Sequence, residues 1–194
     1  RAHRNIPDKE ALVYNGKRYT YREFDEKANQ LANALIKRGV KKGDKVAMWM
    51  FNSDAFGMTY FGILKAGAVA VPINYRLTPS ETAFIVQNCD AVAFVYDDVF
   101  QEGVTGFEKE TPAIKTSICA GEKCDPSKST VLFQEILETE SIDHPGVRID
   151  RFDDSDIIYT SGTTGRPKGA LFAHDNLVME AAHFIPLVDL NDAD

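Results

Sequence analysis

Ten consecutive residues, Thr160-Ser161-Gly162-Thr163-Thr164-Gly165-Arg166-Pro167-Lys168-Gly169, hold four hydroxyls, three glycines, one arginine and one lysine. Glycines permit positive φ and let backbone N–H groups face a ligand without a Cβ in the way. Successive N–H groups curled in this manner form an anion-binding concavity. Hydroxyls add short-range donors, and Lys168 supplies a compact positive charge suited to phosphate oxygens. From Ile157 to His174 there is no Asp or Glu, whereas Asp143 to Asp156 holds five Asp. The run is entered by apolar Asp156–Thr160 and left by apolar Ala170–Ala173, so the pattern is strand, loop, strand over 156–174 rather than a flexible linker. The chemistry it suits is phosphate binding, with Thr160, Ser161, Gly162, Thr163, Thr164, Gly165, Arg166, Pro167 and Lys168 as candidate contacts. Arg166 is also free to point to solvent. His174, just past the exit strand, is a near-site candidate, with packing at a strand end as the competing role.

Two familiar phosphate loops do not fit. A P-loop needs G-x-x-x-x-G-K-[ST], with the lysine and a metal-binding hydroxyl opening a helix. Here Pro167 precedes Lys168, Gly169 follows it, and the continuation is strand-like. The G-x-G-x-x-G dinucleotide fingerprint is absent as well. No metal set is assigned: Cys119 and Cys124 are spaced C-x4-C without a second ligand pair nearby.

The elements that must hold this loop alternate between helix and strand. Thr20-Tyr21-Arg22-Glu23 has the capping-box form. Phe24, Ala28, Leu31, Ala32 and Leu35 then mark one helical face, and Gly39 is a suitable stop. Lys45–Phe51 reads as a buried strand, Ser53-Asp54 caps a helix to about Ala66, and Ala68–Val71 is a short strand halted by Pro72. Thr78-Pro79-Ser80-Glu81 is a second capping box with proline at the first helical position, opening a helix to about Asn88. Ala91–Tyr96 is another strand. Strands separated by helices imply right-handed crossovers, hence an α/β fold with a mostly parallel sheet flanked by helices on both faces. Beyond Asp97 the signal weakens to a strand at Ala113–Ala120, a short helix at Val131–Glu138, a polar connection at 143–155 and a helix from Asn176 to about Phe184. Trp49, Met48 and Met50 are expected in the core, and His183 in a structural position. The basic run Lys37, Arg38, Lys41 and Lys42 surrounds a helix end, where cations suit the dipole; a contact with a coenzyme A phosphate is a secondary option there.

Composition narrows the partners. With 194 residues, 44% apolar and 26% charged, the chain has material for a buried core. Its net charge of −7 argues against general nucleic-acid binding, which needs a basic face. The most apolar stretch, Tyr60–Ile73, is interrupted by Lys65 and too short to span a membrane. Three cysteines are too few and too odd in number for a disulfide framework, so a reducing, cytoplasmic setting is expected.

The stretch from Tyr159 to Gly169 resembles the signature of the adenylate-forming, or AMP-binding, superfamily, and most of all its acyl-CoA synthetases. Tyr19–Phe24 followed by Gly43–Ala47, Leu64–Asn74, and Ala173-His174-Asp175-Asn176-Leu177 are similar to other segments of that family in the same order. Ala173 stands where a serine is usual. Asn74-Tyr75-Arg76-Leu77 is more similar to acyl- or aryl-CoA synthetases than to peptide-synthetase domains. The resemblance implies a carboxylate–CoA ligase: ATP and a carboxylic acid, fatty acids among them, give an acyl-adenylate and pyrophosphate, and a thiol then displaces AMP. It implies ATP, Mg2+ and coenzyme A as co-substrates, with the signature loop on the β- and γ-phosphates. Members of the family are well over twice this length, so the chain is expected to be the first part of a larger N-terminal domain. That gives an α/β unit over about 1–142, the connection 143–155, the strand–loop–strand 156–174 and the start of a helix over 175–194. The catalytic lysine and acyl pocket lie beyond it, and the piece alone is expected to be inactive. Two alternatives stay open: a non-catalytic nucleotide- or CoA-binding scaffold, and an adenylation domain that passes an amino or aryl acid to a carrier-protein thiol.

Overall fold

A computed structural model describes residues 5–107, 110–125, 130–160 and 165–187. A hairpin comes first, β1 (Glu10–Tyr14) and β2 (Lys17–Thr20), paired antiparallel. Its turn is Asn15-Gly16, both at positive φ, the conformation that two-residue hairpin turns demand. The sequence reading passed over this hairpin although Asn-Gly signals one.

The expected alternation follows. Helix α1 (Tyr21–Lys37) opens on a complete capping box between Thr20 and Glu23. Strand β3 (Lys45–Trp49) leads to α2 (Asp54–Lys65), where the Ser53 hydroxyl accepts from the Phe56 N–H. Gly39 and Gly67 follow these helices at positive φ. Strand β4 (Val69–Ile73) runs through Pro72 rather than stopping before it. Then come α3 (Pro79–Asn88), with its own Thr78–Glu81 capping box, and β5 (Ala91–Asp97). A 3-10 turn, Asp98–Phe100, precedes α4 (Gln101–Phe107), a helix the sequence reading did not place. Strand β6 (Thr116–Ala120) starts later than expected. The segment expected as one short helix opens with β7 (Val131–Leu132) before α5 (Phe133–Thr139). Strands β8 (Asp154–Thr160) and β9 (Lys168–Ala173) and helix α6 (His174–Leu187) complete the order.

Seven strands form one sheet in the order β7-β6-β5-β3-β4-β8-β9. Every pairing is parallel except β8 with β9. The chain goes from β3 to β4 on one side and then crosses back to β5 on the other, which places helices on both faces. Strand β3 shows the consequence at residue level. Val46 and Met48 enter the core packed by Leu31, Leu35, Met58, Ile63 and Phe133, while Ala47 and Trp49 enter the one packed by Ile85, Val86, Val104 and Phe107. A strand buried on both faces has no polar alternation, which is why KVAMW reads as a continuous apolar run.

The polar connection after α5 is held by amides on α1. Asn29 Nδ2 donates to the Ile142 carbonyl at 2.8 Å, Gln30 Nε2 to Glu140 at 3.1 Å as well as to Leu137 within α5 at 2.9 Å, and Asn33 Nδ2 to Ser141 at 2.8 Å and Asp143 at 2.9 Å. Of the basic run, Lys37 and Arg38 both pair with Glu140, and Lys42 pairs with Asp153. These cations fasten the connection to the domain.

One cysteine expectation is corrected. Cys119 and Cys124 form a disulfide across the turn that follows β6, their Cα atoms 5.9 Å apart, while Cys89 is free and buried. A single local bridge needs only that turn geometry, not a framework, and it leaves neither sulfur as a thiolate for a metal. Burial pushes the Cys89 thiol up to about 11. Denatured without reductant, the chain should take up one iodoacetamide, at Cys89, and three after reduction. Mass spectrometry counts the adducts, and three without reductant would remove the bridge.

Candidate phosphate-binding site

The loop is the connection of the β8–β9 hairpin. The register pairs Asp154 with Ala173, Ile157 with Leu171, Tyr159 with Gly169 and Thr160 with Lys168. Thr160 and Lys168 therefore face each other at the mouth of the loop, on the edge where the parallel strands end, the usual place for ligands in doubly wound sheets. Ser161, Gly162, Thr163 and Thr164 lie outside the described residues. Gly165 has φ +96°, which an L side chain rarely adopts. Arg166 lies with its guanidinium carbon 5.4 Å from the centre of the Phe84 ring. Pro167 is half-buried, and Lys168 opens β9 with an exposed side chain. Among the described residues no carboxylate stands within ion-pairing distance of Arg166 or Lys168.

Gly169 is required by packing. A Cβ there would stand 2.7 Å from Ile157 Cγ2 and 3.1 Å from the Tyr159 ring, both on the paired strand. The Tyr159 hydroxyl donates to Asn88 Oδ1 at 2.6 Å. Burial, with Cys89 and Asp90 adding, pushes this phenol up to about 12, so it stays a donor at neutral pH.

His174 is not brought to the mouth. It follows the last residue of β9, six positions from Lys168, roughly 20 Å at strand rise. Its Nε2 is buried without a hydrogen-bond partner among the described residues. Asp156 on β8 is 1% exposed, and neither of its carboxylate oxygens has a hydrogen bond of normal geometry there. Burial, then Asp156, raises the Tyr60 phenol. In the sequence Asp156 reads as the last of five acids in a polar stretch and the first residue of the expected strand, with no role of its own. His183 is exposed on α6. Among the described residues no group of three or more His, Cys, Asp or Glu is placed to hold a metal.

This fold and this hairpin define the class. The family of AMP-binding enzymes matches residues 1–193, and the chain belongs to it. Among curated relatives, it is 36% identical over 176 residues to a medium/long-chain-fatty-acid–CoA/3-oxocholest-4-en-26-oate–CoA ligase of Mycolicibacterium smegmatis, covering 89% of this chain and 32% of the relative. It is 35% identical over 164 residues to a crotonobetaine/carnitine–CoA ligase of Escherichia fergusonii, covering 82% and 31%. Among solved structures, the anthranilate CoA ligase AuaEII in complex with anthranoyl-AMP superposes with a TM-score of 0.87 at 30% identity, covering 93% of this chain and 35% of that one. ATP-bound MatB from Rhodopseudomonas palustris superposes with a TM-score of 0.80 at 26% identity, covering 94% and 35%. The chain thus spans about a third of the length of the curated relatives it matches.

Two stability measurements check the hairpin. Gly169→Ala should cost about 1–3 kcal/mol in urea unfolding, the range for forcing an extra carbon into a packed site. Burial, with Lys42 adding, holds the His174 imidazole below its ordinary value despite Asp156 and Asp153. Protonating it therefore favours the unfolded chain. Its contribution is complete above about pH 6.5 and declines as the pH falls from there toward the folded-state pKa. Replacing His174 with Gln should flatten the stability slope between about pH 7.5 and 5. Asp97, pushed up to about 6 chiefly by burial, slopes the opposite way in both proteins and cancels from the difference.

Proposed function

We propose that the protein carrying this chain is an ATP-dependent carboxylate–CoA ligase, and that residues 160–168 supply its contact with the triphosphate. The observation that carries the reading is the hairpin mouth. Thr160 and Lys168 are held opposite each other by strand register, in a run from Ile157 to His174 without Asp or Glu, at the edge where ligands meet such sheets. The names of the relatives and the acyl-adenylate held by a structural neighbour support the same chemistry.

In the first step a carboxylate oxygen attacks the α-phosphorus of ATP, the bond from that phosphorus to the bridging oxygen breaks, and pyrophosphate leaves. Lys168 and the hydroxyl and N–H groups of the loop would take up the charge that gathers on the leaving pyrophosphate and hold the α-phosphorus in line. Mg2+ would come with the nucleotide, as it commonly does on substrate phosphates, and would neutralise part of the phosphate charge. In the second step the sulfur of coenzyme A attacks the acyl carbonyl. The bond to AMP breaks, and the thiol proton is released. The Cys119–Cys124 bridge removes the cysteine argument for a reducing setting, so the cytoplasm is proposed only as the place where ATP and coenzyme A meet; no helix among the described residues is long and apolar enough to cross a membrane.

The full-length protein with Lys168→Ala should lose about 10- to 150-fold in kcat/KM for ATP, the value of one charged hydrogen bond of roughly 1.5–3 kcal/mol. Carboxylate-dependent ATP–pyrophosphate exchange measures this, and unchanged ATP kinetics would refute the loop assignment. Adding free coenzyme A or a carrier-protein thiol to the pre-formed adenylate identifies the acceptor.

A further inference from the structure

The loop has a backing that the phosphate reading does not use. Helix α3 presents Phe84 and Asn88, four residues apart and so on one face. Asn88 accepts the Tyr159 hydroxyl at 2.6 Å, and Phe84 lies under the Arg166 guanidinium, 5.4 Å from ring centre to carbon. Tyr159 is the last residue before Thr160, and Arg166 stands two before Lys168. The two contacts therefore bracket the loop, one on the incoming strand and one on the outgoing chain.

The helix is a firm base. Its first turn is closed by the Thr78–Glu81 capping box, and Ile85 and Val86 are buried in the core. The Glu81 carboxyl is held below its ordinary value, chiefly by the Thr78 N–H and then by the Thr78 hydroxyl. Phe84 is half-buried and packs against the same core that receives Ile157 and Tyr159.

We propose that Phe84 and Asn88 are positioning residues that fix the phosphate loop from behind through Arg166 and Tyr159, with Arg166 acting as an anchor and Lys168 as the phosphate contact. This rests on the phosphate-site reading and adds to it the residues that set the loop's place. A guanidinium stacked on a ring at an exposed site is worth a few-fold, and so is a neutral hydrogen bond. Loss of either anchor lets the loop ligands stray, which weakens MgATP and leaves the carboxylate untouched.

The test is a double-mutant cycle in the full-length protein, read as the MgATP dissociation constant by calorimetry and as separate KM values for ATP and carboxylate. Phe84→Leu and Arg166→Ala should each weaken MgATP about 2- to 5-fold. The double variant should be no weaker than the worse single, and Phe84→Tyr should restore binding. Tyr159→Phe, which removes one oxygen and keeps the ring, should weaken MgATP about 2- to 10-fold through the lost bond to Asn88. Fully additive Phe84 and Arg166 effects, or equal rises in the ATP and carboxylate KM, would overturn the anchoring. So would wild-type affinity in Phe84→Leu and Tyr159→Phe. If Lys168→Ala impairs ATP use and the anchor variants do not, only the anchoring fails. A full-length protein that binds no MgATP overturns both.

Discussion

A single register pair, Ala70 with Asp156, joins the signature hairpin to the parallel sheet. Strands β8 and β9 pair with each other along their whole length, so the hairpin is internally stiff but thinly laddered to its neighbour. Pro72, two residues beyond Ala70, brings no N–H to any ladder. The position of the loop therefore depends on side chains to a degree that the central strands do not share. Ile157 and Tyr159 sink into the core beneath α3, Asn88 and Phe84 hold the two shoulders of the loop, and Arg151 pairs with Asp175 at the far end. A phosphate loop must hold its donors within hydrogen-bond reach of moving oxygens, where an error of one ångström is costly. If the loop holds phosphate as proposed, the α/β frame acts on it partly through its hold on α3.

Where local chemistry decides an element, the sequence was a sufficient guide. Thr20–Glu23 and Thr78–Glu81 close as capping boxes, Ser53 caps α2, and β3 is a buried apolar run. Where tertiary contacts decide, it was not. Helix α4 carries Gly103 and Gly106 within seven residues and has poor intrinsic helicity. It forms because Val104 and Phe107 are buried, and because Gly103 lets it approach Pro79 and Trp49. The 143–155 connection reads as a surface segment. Its approach and first residue are held by Asn29 on Ile142, Gln30 on Glu140 and Asn33 on Ser141 and Asp143, more than a hundred residues away, which no local pattern encodes.

The candidate site divides in the same way. Lys168, the hydroxyls and the glycines announce their chemistry by type and spacing. The requirement for Gly169 is visible only once Ile157 and Tyr159 stand across from it. Arg166 looked like a phosphate ligand or a solvent-facing group, and its ring partner lies 82 residues earlier in the chain. His174 looked close to the loop because it is close in sequence. A strand converts that closeness into distance, and it places His174 beside the buried Asp156 instead. A buried carboxylate is expensive, and the Tyr60 hydroxyl and His174 are polar groups beside this one.

The net charge of −7 is hostile to a polyanionic ligand only where acids stand nearby, and the run from Ile157 to His174 has none. Several cations elsewhere are engaged, Arg18 with Glu10, Arg22 with Asp8, Lys37 and Arg38 with Glu140, Lys42 with Asp153 and Lys65 with Asp25. Arg166 and Lys168 have no such carboxylate among the described residues, and the chain from Ile157 to His174 holds no Asp or Glu. At physiological ionic strength the field of a distant surface charge is largely lost beyond about 8 Å. On the proposed role, what a phosphate meets at the mouth is set by the nearest few side chains, and the described ones there, Thr160, Arg166 and Lys168, are hydroxylic or basic. The acidic balance of the whole acts mainly on the approach, where salt screens it. At contact, the sign of the molecule is the sign of its loop.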